Sequence, residues 1–289
     1  MNVAIDPSAL VVDGEPAVAR RVTRIRLGMP QLCLGGLSET WLLKECGDLH
    51  WRLLADLAGL ETPDFRDGEG VRIYAAFCAL SSEDLGLDRF EEHDELRIVS
   101  ELRRVSASRF CSRHTFLRGA EFAGTLELLS AFVKRTADGR NRSIARAVPR
   151  VFQSGSLNRS DPLRAENLSG ALRKRDWAEH QGVRRIGAGT LGAIVLKPCP
   201  SQDFNGANLL YFASYQGLAD RADWELSGLS SHAAPVLARD MVFHGNAEPG
   251  EALRFELRGS RDGASAWRWM SVSSETDGRP LADIFTLRG

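Results

Sequence analysis

The sequence predicts an α+β chain in which one unit is used twice, a long helix wrapped by an antiparallel sheet, and three observations predict it. Pro30, Gly36 and Gly47 recur as Pro200, Gly206 and Gly217, each displaced by 170 residues, and in both places they follow a strand and open a helix. Segments that alternate like strands follow each helix and outnumber the helices, which favours an antiparallel sheet over alternating βαβ units. The second helix, 206–226, carries apolar residues on all sides, the pattern of a helix enclosed by its sheet.

The elements follow in order. The first helix is opened by Met29-Pro-Gln-Leu-Cys-Leu-Gly-Gly-Leu-Ser-Glu-Thr-Trp41, and the second by Cys199-Pro-Ser-Gln-Asp-Phe-Asn-Gly-Ala-Asn-Leu-Leu-Tyr211. Strands are predicted over 71–80, 94–103, 106–117 and 126–133, then over 236–244, 251–259, 265–273 and 281–287. In 251–259, Leu253, Phe255 and Leu257 share one face and Arg254, Glu256 and Arg258 the other; its counterpart is 94–103. The expected division is a first unit over 1–150 and a second over 151–289.

A chain of 289 residues with 43% hydrophobic residues and 11 prolines has enough apolar surface for two cores. Its five cysteines, at 33, 46, 78, 111 and 199, are odd in number and scattered, which predicts reduced thiols and a cytoplasmic protein. The Asn-x-Ser triplets at Asn141, Asn158 and Asn167 then carry no glycan. No apolar run approaches the roughly 20 residues of a membrane span.

The net charge is −1, but 134–185 holds thirteen basic and five acidic residues. That stretch is rich in Ser, Asn, Gly and Arg, the composition of a surface connector: either a solvated linker or a landing surface for phosphates or an acidic partner. A pI near 6.6 and the lack of interleaved aromatics argue against nucleic acid. Gly187-Ala-Gly-Thr-Leu-Gly192 matches a dinucleotide fingerprint, but a strand-like run follows it where a helix is required. Cys46 and His50 share a helix face, yet zinc needs three or four ligands, so a core Cys beside a His is the simpler reading.

Asp203-Phe-Asn-Gly206, followed by Tyr211-Phe-Ala-Ser-Tyr215, resembles the start of the central helix in hot-dog thioesterases. The chain lacks that family's His after the Gly, and Tyr211 stands about two positions late. A closer resemblance covers nearly the whole chain. Gly28-Met-Pro30, Gly36-Leu-Ser-Glu-Thr-Trp41 and Gln202-Asp-Phe-Asn-Gly-Ala-Asn208 look like the bifunctional acyltransferase/decarboxylases of polyketide biosynthesis, typified by the leinamycin pathway. The resemblance implies a double hot-dog that takes methylmalonyl-CoA, removes its carboxylate and leaves propionyl on an acyl carrier protein, with no metal or redox cofactor. It also implies an acyl group held on a tyrosine. Tyr74, in Val71-Arg-Ile-Tyr-Ala-Ala-Phe77, fits that role; Tyr211 and Tyr215 are the alternatives.

A phenol titrates near 10, so a nucleophilic tyrosine needs a base: His114, His50 or the substrate's own carboxylate. Decarboxylation beside a thioester needs fixed donors for the developing enolate charge. The expected substrate-binding set is Gly36 with Ser38, and Gly206 with Asn205 and Asn208, at the two helix starts. Asp203 and the two asparagines could equally serve as caps. Acyl-CoA and an acyl carrier protein are the expected partners, without nucleic acid or membrane, and a homo-oligomer is left open. The alternatives are a hot-dog thioesterase using Asp203 to activate water, or a noncatalytic acyl-binding protein of an assembly line.

Overall fold

The computed structural model describes residues 18–136, 139–153, 161–185, 189–228, 234–260 and 266–289. Asn158 and Gly187, singled out in the sequence, lie outside them. The first half comprises β1 (Val18–Arg26), α1 (Glu39–Leu57), β2 (Tyr74–Glu83), β3 (Glu95–Arg104), β4 (Arg109–Arg118), β5 (Glu121–Arg135) and the short β6 (Ile144–Arg146). After α2 (Arg164–Leu172) come β7 (Thr190–Leu196), α3 (Phe212–Ser227), β8 (Val236–Phe243), β9 (Leu253–Ser260), β10 (Ala266–Ser274) and β11 (Pro280–Arg288).

The strands form one antiparallel sheet in the order β1-β3-β4-β5-β2-β8-β11-β10-β9-β7, with β6 added to β5. The same order, first-third-fourth-fifth-second, is used in each half, and the two second strands, β2 and β8, join edge to edge. This is the double hot-dog arrangement expected from the sequence, with the two sheets continuous through that join.

Both long helices lie on the inner face and share one core with it. Ser38 caps α1, its Oγ accepting from the Trp41 N–H at 3.3 Å. Leu42, Leu43, Cys46, Leu49, Leu53 and Leu54 then bury one stripe of that helix. The repeated glycine at 47 has a packing reason, because a Cβ there would stand 2.5 Å from Tyr211 Oη and 2.9 Å from the Phe212 ring. Gly36 has another: its φ is +100°, and a Cβ would meet the Leu87 carbonyl oxygen at 2.3 Å. Gly206 is exposed with open space around it.

Three expectations change. The second helix begins at Phe212, not Gly206, because Asn205 Oδ1 accepts from the N–H groups of Ala207 and Leu209 and holds the segment in a turn. It is also not enclosed all round: Trp224 is 46% exposed, and Arg221 and Glu225 share the open side. The basic stretch is not merely a solvated linker. It extends β5, supplies β6, and lays α2 over the outer sheet face, where Ala165, Leu168, Leu172 and Trp177 are buried against Leu129, Val242 and Phe285. A helix of nine residues shows too little periodicity to be read from sequence. No helix among the described residues is long and apolar enough to cross a membrane.

Candidate active site

The central join is short. β2 and β8 are paired only over Ala79–Ser82 against Arg239–Val242. Beyond that ladder the strands part, and Tyr74–Phe77 pair with β5 alone among the described residues. The gap opens a cleft of about 360 Å³. One wall is the start of β2 with β5 and β6; the other is the turn before α3, the first turns of α3, and residues 244–246 after β8. All three tyrosines of the chain, Tyr74, Tyr211 and Tyr215, line it.

The turn before α3 is built by its asparagines and by Asp203. Phe204 bridges to Leu210, the Asn208 N–H donates to the Asn205 carbonyl at 2.8 Å, and Asn208 adopts φ +57°, a conformation asparagine tolerates. The Asp203 carboxylate accepts from the Cys199 N–H at 2.7 Å and stands outside the cleft lining. Asn141, 2% exposed, ties the turn to the opposite wall, its Nδ2 donating to the carbonyls of Asn208 at 2.6 Å and Ala247 at 3.0 Å. Of the expected substrate-binding residues, only Asn205 lines this cleft. Its Oδ1 is engaged by backbone, which leaves the amide Nδ2 as its donor.

The tyrosines differ in setting. Burial pushes the phenols of Tyr211 and Tyr215 well above their ordinary value, and Tyr215 Oη donates to the Gly245 carbonyl. Tyr74 is half-buried, with the Arg72 guanidinium 5.7 Å from its ring centroid and Trp51 edge-on at 6.4 Å. Tyr74, the first choice from the sequence, and Tyr211 are half-buried, whereas Tyr215 is buried.

His50 and His114, the bases expected from sequence, are fully buried away from the cleft. His50 bonds Ser112 at 2.7 Å and Ser130 at 2.8 Å; His114 bonds Ser100 at 2.8 Å and Ser112 at 2.9 Å. Burial pushes both imidazoles down, His114 to about 3, so they are neutral. The histidine that lines the cleft is His244, which sequence reasoning missed because no motif marks it. Its Nε2 lies 2.9 Å from Asp283 Oδ2, while Trp269 Nε1 donates to Asp283 Oδ1 at 2.9 Å and Arg175 Nε approaches at 3.5 Å. Burial alone would raise the Asp283 carboxyl, but the hydrogen bond and charge of His244, with Arg175 and Trp269, hold it below the usual carboxylate range. The lining also contains Arg142, Arg146, Arg173 and Arg279, and among the described residues it includes no Asp or Glu.

Gly36 and Ser38 sit instead at the start of α1, in the other half. There Arg239, 1% exposed at its side chain, is bound by Glu39 at 2.8 Å and Asp220 at 2.9 Å. No group of three or more His, Cys, Asp or Glu suited to a metal is found among the described residues.

No protein-family model matches the sequence, and no curated protein matches it. The structure is similar to the 12:0-ACP thioesterase from Umbellularia californica, with a TM-score of 0.62, 11% identity and 94% of each chain covered. It is also similar to an acyl-ACP thioesterase from Bacteroides thetaiotaomicron VPI-5482, with a TM-score of 0.61, 9% identity, and 93% of this chain and 98% of that one covered. At such identities the likeness shows the hot-dog fold alone.

Proposed function

We propose that the protein acts on acyl thioesters in this cleft, passing the acyl group through Tyr74 to the thiol of an acyl carrier protein, with loss of carboxylate from a methylmalonyl-type substrate. The observation that carries this reading is the lining itself, which among the described residues offers three tyrosines, four arginines and one histidine and no carboxylate. The sequence resemblance supplies the substrate class.

In the proposed chemistry Tyr74 Oη attacks the thioester carbonyl carbon and His244, oriented by Asp283, takes the phenolic proton. The C–S bond breaks and the departing coenzyme A thiolate receives that proton. Cleavage of the bond to the α-carboxylate releases carbon dioxide, and its electron pair passes into an enolate that then takes up a proton from solvent at carbon. The Asn205 amide is a donor suited to the enolate oxygen. Attack of the carrier thiol on the tyrosyl ester, its proton returning to the phenolate, completes the transfer.

Hydrolysis is the second reading, and the acyl-ACP thioesterases among the structural relatives favour it. In that case His244, with Asp283 behind it, is the base for water; Asp203 is already occupied by the Cys199 N–H. Incubation with methylmalonyl-CoA separates the readings: carbon dioxide with acylated enzyme and carrier, or free acid with coenzyme A. Intact-protein mass should show an acyl adduct on the wild type and none on Tyr74→Phe. An adduct on that variant moves the acceptor to another residue, and free acid alone establishes the hydrolase.

A further inference from the structure

We infer that Arg146 and Arg173 form a binding site for the phosphate ester of the pantetheine arm, the group that coenzyme A and a charged carrier protein have in common. The inference rests on the acyl-thioester reading of the cleft, but not on whether the acyl group goes to a thiol or to water.

Four arginines line the cleft, and they are not equivalent. Arg142 is drawn to Glu248 at 3.8 Å, and Arg279 is held by Glu251 at 3.1 Å. Arg146, on β6, and Arg173, at the end of α2, have no acidic partner among the described residues, and both are exposed. They stand 27 positions apart in the sequence, on different elements, yet both line the cleft together with Cys78. Two guanidinium groups gathered at one opening without a counter-charge repel, and a bound dianion relieves that repulsion.

Their exposure sets which part of the substrate they meet. The aromatic groups, Phe77, Phe212 and Tyr215, are buried or half-buried in the interior of the cleft and suit an acyl chain. A group that stays hydrated belongs at the exposed cationic rim. The neighbouring basic residues are differently employed: Arg175 is committed to Asp283, and Lys174 lies outside the lining.

Calorimetric binding of three nonhydrolysable thioether analogues tests the site: acyl-CoA, acyl-phosphopantetheine and acyl-pantetheine. In Arg146→Gln/Arg173→Gln the first two should lose about 10- to 100-fold in affinity and the third should be unchanged. An equal loss for all three overturns the inference, since the arginines would then serve the acyl end or the fold. A loss confined to the coenzyme A analogue also overturns it, by moving the contact to the nucleotide, as does no loss at all. If the wild type binds none of the three, the acyl-thioester reading itself fails and the site with it. Comparing acyl-CoA with an acylated carrier protein then separates the two natural sources of the phosphate.

Discussion

Ser81 Oγ donates to Asp240 Oδ1 at 2.6 Å across the join of the two halves, and the same residues face one another in the register of β2 and β8. The ladder of β2 with β5 skips Cys78, and that of β8 with β11 skips Leu237, each three residues ahead of that pair. The local two-fold relation of the halves therefore runs between Ser81 and Asp240. A duplicated chain should present a groove on either side of it; the cleft lies on one side, and among the described residues the Glu39–Arg239 ion pair occupies the start of α1 on the other. At the 170-residue offset Glu39 corresponds to Leu209, which lines the cleft, whereas Glu39 is locked to Arg239.

One site per chain is the expected consequence. Titration with a nonhydrolysable acyl-thioester analogue should saturate near one ligand per chain, and calorimetry giving two equal sites would contradict the blocking of the first groove by that ion pair.

The Arg239 cluster should be fragile to partial removal. Arg239 lies between Glu39 and Asp220, which hold its guanidinium charged against the effect of burial, and it also donates to Thr286 Oγ1 at 2.8 Å. Arg239→Met leaves the Glu39 carboxylate without its ion-pair partner and Asp220 with Arg288 alone, and should cost about 3–5 kcal/mol in urea unfolding. Replacing Arg239 and Glu39 together by Met and Leu should recover much of that loss, since Asp220 keeps Arg288.

The two repeated helix glycines should respond with opposite sign. Gly217→Ala meets only Thr40 Oγ1 at 3.6 Å, an ordinary contact, and should stabilise by about 0.5–1 kcal/mol through helix propensity. Gly47→Ala drives a methyl into Tyr211 and Phe212 and should destabilise by about 1–3 kcal/mol. Because those rings line the cleft, it should also weaken analogue binding; thermal unfolding and calorimetry of both variants check the contrast.

Acid should loosen the first half through its buried imidazoles. His50 and His114 titrate lower in the fold than in the unfolded chain, His114 falling from 6.5 to about 3. Their contribution is complete above pH 6.5 and is lost as pH falls toward 3, since the unfolded chain takes up protons the folded one refuses. Asp240 and Asp283, held below their ordinary value of 3.8, lose their contributions only at lower pH. The melting temperature should therefore drop between pH 6.5 and about 4, and His114→Gln should reduce the slope in that interval.

The sequence by itself determined the repeated unit, its two inner helices and the antiparallel character of its strands. Those features live in local periodicity: Leu253, Phe255 and Leu257 alternate whatever they pair with, and Gly36 and Gly47 punctuate the first helix wherever it lies. Tertiary structure decided the site. The cleft exists because β2 and β8 part beyond Ala79, a matter of register between segments some 160 positions apart. That separation places Tyr74 and His244 on one opening and takes His50 and His114 out of it. It also divides arginines that look alike in the sequence into two that carboxylates hold and two with no acidic partner among the described residues. Asp203 has the composition of a site, but its carboxylate is taken by the Cys199 N–H in the segment before α3, because an unmade backbone bond costs more than a side chain's freedom; Asn208 serves there by its left-handed backbone at φ +57°.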